Sequence, residues 1–442
     1  MITAKQFDEM VKDGVKIKEP ELPDIEIKNC NQIASNILQE NKLLFCDGIY
    51  YKYDNGVFLS IKEDKIRRII KDKLGDKFTQ NKASEIIHSL RVEIALNDSE
   101  ELNASALLNL KNGMFNLEKM AIAPHEENFK STIQLPVSYN PGVKCDKWFE
   151  TLKGIFPDDI EKADIIQEFF GLCLTKDQKY EKALFLVGDG ANGKSTLLYI
   201  LQKILGKRNF SSVPLELFNN PHYTANFYQK LVNISIETNA KSSVYDSLMK
   251  AVISGDNITA DAKYQPTIQF NPFCKLIFAL NNMPRVDDKT DAFYRRMLIV
   301  RFNRQFEEAE QNKNLKFELE AEIDGIFNWM VEGLKRLRGR GYFELTEALR
   351  QEVDEYRKEN NNVIAFVEDA CKLEGNTTSK QALYSAYTEW CDSNGYRKLS
   401  KNKLGMEIKK QFRGKIQDDR DTTGERAWYG VSLNCVKLEV EP

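Results

Sequence analysis

Residues 183–205 read ALFLVGDGANGKSTLLYILQKIL. Ala183 to Val187 is an apolar run of strand length, and from about Lys194 the spacing of apolar residues turns helical. Between them, Gly188-Asp189-Gly190-Ala191-Asn192-Gly193-Lys194-Ser195 fits G-x-x-x-x-G-K-[ST] at every fixed position, and Thr196 follows. Glycines there let backbone N–H groups converge on phosphate oxygens, and the helix N-terminus adds a favourable dipole. Lys194 is expected to bridge the β and γ phosphates and Ser195 to ligate Mg²⁺. A structural glycine turn is the bland alternative. The position between an apolar strand and a helix weighs against it.

The flanking sequence supplies the rest of such a core. KLVNISIE (230–237), FCKLIFAL (273–280) and RMLIVRF (296–302) read as strands interleaved with helical stretches. That pattern predicts an α/β core with a largely parallel sheet over residues 148–306. Residues 1–30, with KEPELP, read as an arm or linker. Residues 31–147 read as an α+β N-terminal accessory domain. FCDGIYYKYDNGVFLSI (45–61) carries hairpin turns at Gly48 and Asn55-Gly56, KEDKIRRIIKDKL (62–74) is an amphipathic helix, and ALLNLKNGMFNLEKM (106–120) turns at Asn112-Gly113. Residues 307–359 predict a helical connector. Residues 360–442 predict helices at NVIAFVEDAC, KQALYSAYTEWCDSNG and SKNKLGMEIKKQF, then a strand-like WYGVSLNCVKL, the pattern of a winged helix-turn-helix.

Composition narrows the functional classes. A chain of 442 residues with 42 % apolar residues, 25 Phe and 17 Tyr can fill real cores. The net charge of −3 gives no bulk affinity for nucleic acid, so any such surface must be local. One is present: between Arg397 and Lys415 eight basic side chains, including Lys401, Lys403, Lys409 and Lys410, face only Glu407. Such a run could grip a duplex backbone, or be a solvated face. Eight cysteines never form CxxC and three histidines form no metal spacing, so reduced, mostly buried thiols are expected. The N-terminal MITAKQFDEMVKDG has no apolar signal region, and no stretch reaches the ~18 apolar residues of a membrane span. No guanine-reading NKxD element follows the loop, which disfavours a GTPase. A small-molecule kinase would end soon after its lid, whereas this chain continues.

The continuation resembles the superfamily 3 helicases, of the phage and plasmid replicative helicase-primase family that includes the poxvirus primase-helicase. The elements that carry it are GDGANGKST, KLVNISIETN, LMKAVISGDNITADAKYQPTIQFNP, FALNNMPR and DAFYRRMLIVRF, in that order. The likeness is strong over 165–305 and weaker over the rest of 40–425. It implies an AAA+-like superfamily 3 ATPase core that uses ATP and Mg²⁺ and works as a homo-oligomeric ring, a hexamer, on single-stranded and forked DNA. It also implies a primase or polymerase as a candidate partner, and no membrane. The location it implies is the cytoplasm of a bacterial or archaeal host, or the replication compartment of a virus or mobile element. The implied activity is ATP-dependent DNA unwinding during replication. An origin-melting initiator ATPase, or the helicase part of a longer helicase-primase polypeptide, is the alternative.

The same resemblance assigns roles. Glu237 takes the acidic Walker B position, to polarise the attacking water and share Mg²⁺ with Ser195. Many members of the superfamily have two adjacent acids there, whereas here Ser235 and Ile236 precede Glu237. Asn281 takes the sensor position, with Asn282 chemically equivalent beside it. Arg295 and Arg296 take the arginine segment, acting on the neighbouring subunit's nucleotide, and spacing to the end of RMLIVRF favours Arg295. Arg285 is a further interface candidate. Lys263 falls on a hairpin toward the central channel, where it would contact a DNA phosphate, and Tyr264 would stack on a base. The bland readings are a strand-end acid, a turn-capping Asn before Pro284, an arginine pair neutralised by Asp291, and a solvated loop lysine.

Overall fold

A computed structural model describes residues 30–97, 100–218, 220–236, 246–261, 267–284, 286, 290–373, 377–420 and 424–434. They fall into two compact units. The smaller runs to residue 104 and includes 127–132, and the larger holds 105–126 and everything from 133.

The smaller unit packs three helices with a meander. Its order is α1 (Cys30–Glu40), β1 (Leu43–Cys46), β2 (Ile49–Asp54), β3 (Val57–Ile61), α2 (Glu63–Leu74) and α3 (Gln80–Ile94). Asp47, Gly48, Asn55 and Gly56 all take positive φ in the two turns, as the Asp-Gly and Asn-Gly pairs predict. Ile66, Ile70 and Leu74 stack four residues apart on one face of α2 and bury against Ile37, Ile86 and Leu90.

In the larger unit the second hairpin gains a third strand. β4 (Leu108–Leu110), β5 (Gly113–Asn116) and β6 (Ala121–Ala123) form one antiparallel sheet, and Leu108, Leu110 and Phe115 enter the unit's main core. Two helices follow, α4 (Asp146–Ile155) and α5 (Ile160–Leu172), and lead into the central sheet.

That sheet holds β7 (Ala183–Val187), β8 (Phe210–Ser211), β9 (Val232–Ile236), β12 (Lys275–Leu280) and β13 (Met297–Arg301) in the order β13-β7-β12-β9-β8, every pairing parallel. β7 and β12 are buried at every residue, which is why both read as apolar runs, broken in β12 only by the buried Lys275 at its start. Asn233 breaks the pattern in β9, and its fully buried amide is satisfied by Ser211 and both backbone groups of Val213. The crossovers carry α6 (Lys194–Leu205), α7 (Pro221–Thr224), α8 (Asp246–Ser254), the antiparallel pair β10 (Ile258–Ala260) and β11 (Ile268–Phe270), and α9 (Asp291–Tyr294).

After the sheet come α10 (Leu315–Ala321), α11 (Ile323–Arg340) and α12 (Glu347–Asn360). The C-terminal elements are α13 (Asn362–Ala370), β14 (Cys371–Lys372), β15 (Thr377–Ser379), α14 (Lys380–Ser393), α15 (Lys401–Gln411), β16 (Gln417–Arg420), β17 (Arg426–Tyr429) and β18 (Ser432–Leu433). Phe366, Leu383, Tyr387, Leu404, Ile408 and Trp428 form their core. The alternation read through WYGVSLNCVKL is broken at Gly430, where φ is +87°: β17 pairs with β15 and β16, while β18 pairs with β14. Among the described residues the seven cysteines are free thiols, five of them buried, and no helix is long and apolar enough to cross a membrane.

Candidate active site

The loop 188–193 runs from the carboxyl end of β7 into α6. Its entrance is held on both sides: the Gly188 N–H donates to the Leu280 carbonyl at the end of β12 (3.1 Å), and the Phe302 N–H donates to the Val187 carbonyl (2.7 Å). Farther along, the Phe306 N–H donates to the Ala191 carbonyl (2.8 Å). Gly193 sits at φ +92°, and a Cβ there would lie 2.5 Å from Ile155 Cδ1 of α4. Only glycine meets both demands.

Lys194 is the first residue of α6. Its ammonium donates to the carbonyls of Gly188 and Asp189 (3.1 Å) and to Asn192 Oδ1 (3.2 Å), over the ring of Phe302. Burial pushes its pKa below the ordinary lysine value, against the pull of Asp189. Asn192 is buried and ties its own amide to the Asp189 carbonyl, so the loop is braced from inside. Asp189, Gly190, Ala191 and Ser195 are exposed, and Thr196 is half-buried.

The sheet order brings the other candidates to two edges. β12 lies between β7 and β9, with Leu280 beside Val187 and Ala279 beside Ile236. Asn281 and Asn282, both exposed, therefore follow the strand end next to the loop. Glu237 lies outside the described residues, as do Arg285, Lys263 and Tyr264. Ile236 is the described residue before position 237, and β10 and β11 are the strands before and after 262–266.

Arg295 and Arg296 lie at the opposite edge. Met297 pairs with Ala183, and the Ala183 N–H donates to the Arg296 carbonyl (2.8 Å), so both arginines sit at the amino end of the sheet. Their side chains differ. The Arg296 guanidinium is 11 % exposed and donates to the Ala292 carbonyl, Glu181 Oε2 (2.8 Å) and Ser254 Oγ (3.0 Å). The Arg295 side chain is 66 % exposed and comes no nearer than 3.9 Å to Glu181. Lys182 donates to the Arg295 carbonyl, and burial followed by the two guanidinium charges depresses its pKa. Asp291 pairs with Arg357 instead of with either arginine (2.6 Å).

In the C-terminal elements, Lys401, Lys403, Lys409 and Lys410 are all exposed on α15. Lys401 donates to Gln381 (2.7 Å) and Lys409 pairs with Asp418 (2.5 Å), an acid also held by Lys380. Among the described residues no cluster of His, Cys, Asp and Glu could hold a metal ion by itself.

Sequence reasoning missed the wall behind the loop. A cavity of about 410 Å³ opens there, lined among others by Thr151, Ile155, Thr196, Phe306 and Leu315. Arg304 braces it, donating to the Gly154 carbonyl (2.8 Å) and pairing with Glu310 (2.9 Å) while stacked on Phe306. These residues come from α4, α6, α10 and the segment after β13, and apart from Thr196 none belongs to a local motif.

Comparison with known proteins adds kinship. Three family models match in succession: "D5 N terminal like" over residues 5–157, a family of unknown function (DUF5906) over 186–296, and "Poxvirus D5 protein-like" over 358–423. "Putative helicase L207/L206" of Acanthamoeba polyphaga mimivirus is 25 % identical over 328 residues, 65 % of this chain and 33 % of that protein. "Putative helicase 121R" of Invertebrate iridescent virus 3 is 21 % identical over 241 residues, 49 % of this chain and 26 % of that protein. The match thus spans a third or less of each relative's length. Two solved structures of the NrS-1 C-terminal region share the fold, with TM-scores of 0.58 and 0.56 at 13 % identity, covering 91 % and 92 % of this chain and 100 % of theirs.

Proposed function

This chain is related to the poxvirus D5 proteins and to viral proteins that carry the helicase name, and on that premise we propose that it is an ATP-driven DNA helicase. It moves on single-stranded DNA and opens duplex during replication of a virus, plasmid or mobile element. The observation that carries the reading is the division of the sheet's two edges. The phosphate loop, Asn281 and the strand leading to Glu237 share the carboxyl edge, and the exposed Arg295 belongs to the amino edge.

In this reading the loop amides and Lys194 hold the triphosphate. The cavity behind the loop is large enough for the base and ribose. Glu237 polarises the attacking water and Asn281 orients it. Ser195, exposed on the first turn of α6, is the hydroxyl that would hold Mg²⁺ together with Glu237, and the ion would offset phosphate charge. Arg295 of one subunit completes the site of the next in a head-to-tail assembly, which in the family closes into a ring, a hexamer. Arg296, engaged on three sides, holds the finger's base. Lys263 and Tyr264 contact the translocated strand, and the α15 lysines contact duplex backbone.

The decisive measurement is ATP hydrolysis together with strand separation on matched forked, single-stranded and blunt DNA. DNA-stimulated hydrolysis and unwinding of forks, both weakening with salt, are expected. Hydrolysis without unwinding, or melting confined to one origin fragment, would replace the helicase with an initiator.

A further inference from the structure

Two contacts join the segment after the sensor position to one strap, α12. The Tyr356 hydroxyl, fully buried, donates to the Pro284 carbonyl (2.6 Å), two residues past Asn282. The Val286 N–H donates to Asn360 Oδ1 (3.2 Å), one turn farther along the same helix. Arg301 at the carboxyl end of β13 pairs with Glu352, so the strap is also anchored on the sheet. Tyr356 thus fixes the chain directly after the sensor position.

Arg357 is the next residue and faces two elements, α9 and α15. Its guanidinium pairs with Asp291 in the first turn of α9 (2.6 Å) and lies 5.7 Å from the ring centre of Tyr294, the residue before Arg295. It also donates to Gln411 Oε1 (3.2 Å), the last residue of α15, directly after Lys409 and Lys410. Asp291 is 81 % exposed, so the ion pair alone adds little stability. The geometry is the larger effect. Tyr294 is buried and packs edge-on against Tyr356, with ring centres 6.0 Å apart, so Tyr356 and Arg357 together clamp the residue from which Arg295 projects. One side chain therefore touches the base of the arginine finger and the end of the basic helix.

We propose that Arg357 is a positioning residue that couples the C-terminal elements to ATP hydrolysis, setting α9, and through it Arg295, according to where α15 sits. The inference rests on reading Arg295 as the finger and α15 as a DNA-contacting helix. DNA held by Lys409 and Lys410 moves the end of α15, Gln411 transmits the shift to Arg357, and α9 follows. Asn281 is tuned by the same strap through Tyr356 and Pro284. A lysine at 357 keeps the charge near Asp291 but lacks the planar fork that spans Tyr294 and Gln411.

The test uses the full chain with Arg357→Ala, Arg357→Lys and Gln411→Ala. Hydrolysis is measured at saturating ATP with and without forked DNA, alongside affinity for a fluorescent ADP analogue, affinity for the fork, and Tm. Arg357→Ala should lower the DNA-stimulated kcat at least about fivefold while both affinities stay within about twofold, because the residue touches neither ligand. Arg357→Lys should recover part of that loss. Gln411→Ala should leave the DNA-free rate as in the wild type and reduce only the ratio of stimulated to basal rate, by about threefold. Wild-type stimulation by DNA with unchanged ratios in all three variants would overturn the coupling and leave the helicase reading standing. A wild type whose hydrolysis ignores DNA would overturn both. A loss of kcat in Arg357→Ala that comes with an equal loss of nucleotide affinity and a lowered Tm would reduce Arg357 to a packing role and also overturn the coupling.

Discussion

The ammonium of Lys194 rests on carbonyls of its own loop, contacts that a triphosphate would exchange for charged oxygens. Replacing it with alanine should leave the fold intact, since the loop is braced by Asn192 and by backbone bonds from Phe302 and Phe306. Hydrolysis should fall at least about a hundredfold, as for loss of a transition-state donor. The check is an ATPase assay with near-UV circular dichroism on the same preparation, and wild-type turnover would refute the site. Lys275 is a different case. It is 2 % exposed, its ammonium donates to the carbonyls of Thr175 and Phe273, and burial pushes its pKa from 10.5 down to about 8. The unfolded chain therefore holds more protons between those two values, so stability should rise with pH through that window and be lowest below it. The gain is of the order of 3 kcal/mol. Denaturant titrations at several pH values, wild type minus Lys275→Met, should show that rise, and a flat difference would refute it. The two lysines also mark what a sequence can disclose about a residue. The loop motif encodes its own local geometry, so Lys194 was legible. FCKLIFAL gives no sign that its lysine is enclosed, because Thr175, beyond the end of α5, supplies the distant carbonyl. Arg295 and Arg296 are alike as letters, and only the backbone between α9 and β13 turns one into a buried network and the other into solvent.

Elements were more legible than their pairings. β7, β9, β12 and β13 stand where their apolar runs predict, because a parallel strand buried on both faces writes its environment directly into the chain. The packing of α5 on α11 was not legible, since helical periodicity names a face and not its partner. Three glycines in α11 show the consequence. A Cβ on Gly325 would lie 2.4 Å from the Lys144 carbonyl oxygen and one on Gly333 2.6 Å from the Gln167 carbonyl oxygen, whereas one on Gly339 meets nothing. On the facing helix, a Cβ on Gly171 would lie 2.3 Å from the Met330 carbonyl oxygen, a backbone atom that cannot swing aside. Glu168, nearly fully buried, adds ion pairs to Arg336 and Arg340 across the same contact. Gly171→Ala should therefore destabilise by about 1–3 kcal/mol through forced separation of the helices. Gly339→Ala should stabilise by about 0.5–1 kcal/mol, from helix propensity alone. Urea unfolding of the two variants decides it, and shifts of the same sign would refute the close-packing argument.

At the scale of the molecule, the parallel sheet separates the phosphate loop from Arg295, two groups that the proposed reaction would need together. The loop begins at the carboxyl end of β7, and Arg295 precedes β13 beside that strand's amino end. The five residues of β7, at about 3.3 Å each, hold the edges roughly 16 Å apart, which no arginine side chain spans. If Arg295 contributes to hydrolysis, it must do so at another subunit's nucleotide, and the catalytic unit is then shared between chains. Arg295→Ala should leave nucleotide binding within about twofold and lower the turnover of the pure variant at least about a hundredfold. Glu237→Gln should likewise bind ATP and hydrolyse it poorly, because the amide cannot accept the proton. Mixed together, the two variants form some interfaces in which one subunit supplies Glu237 and its neighbour supplies Arg295. Those interfaces are complete, so the mixture should hydrolyse more ATP than the sum of the separate preparations. Recovery will be partial, because random assembly leaves many interfaces defective. A mixture of Lys194→Ala with Glu237→Gln is the control. Both changes fall on the same side of the shared site, so each interface draws that side from a single subunit, and none is made whole. Strictly additive activity in the first mixture, with subunit exchange verified by a label, would remove Arg295 from the neighbour's site. Recovery in the first mixture and none in the control would make the two edges of the sheet the two halves of one active site.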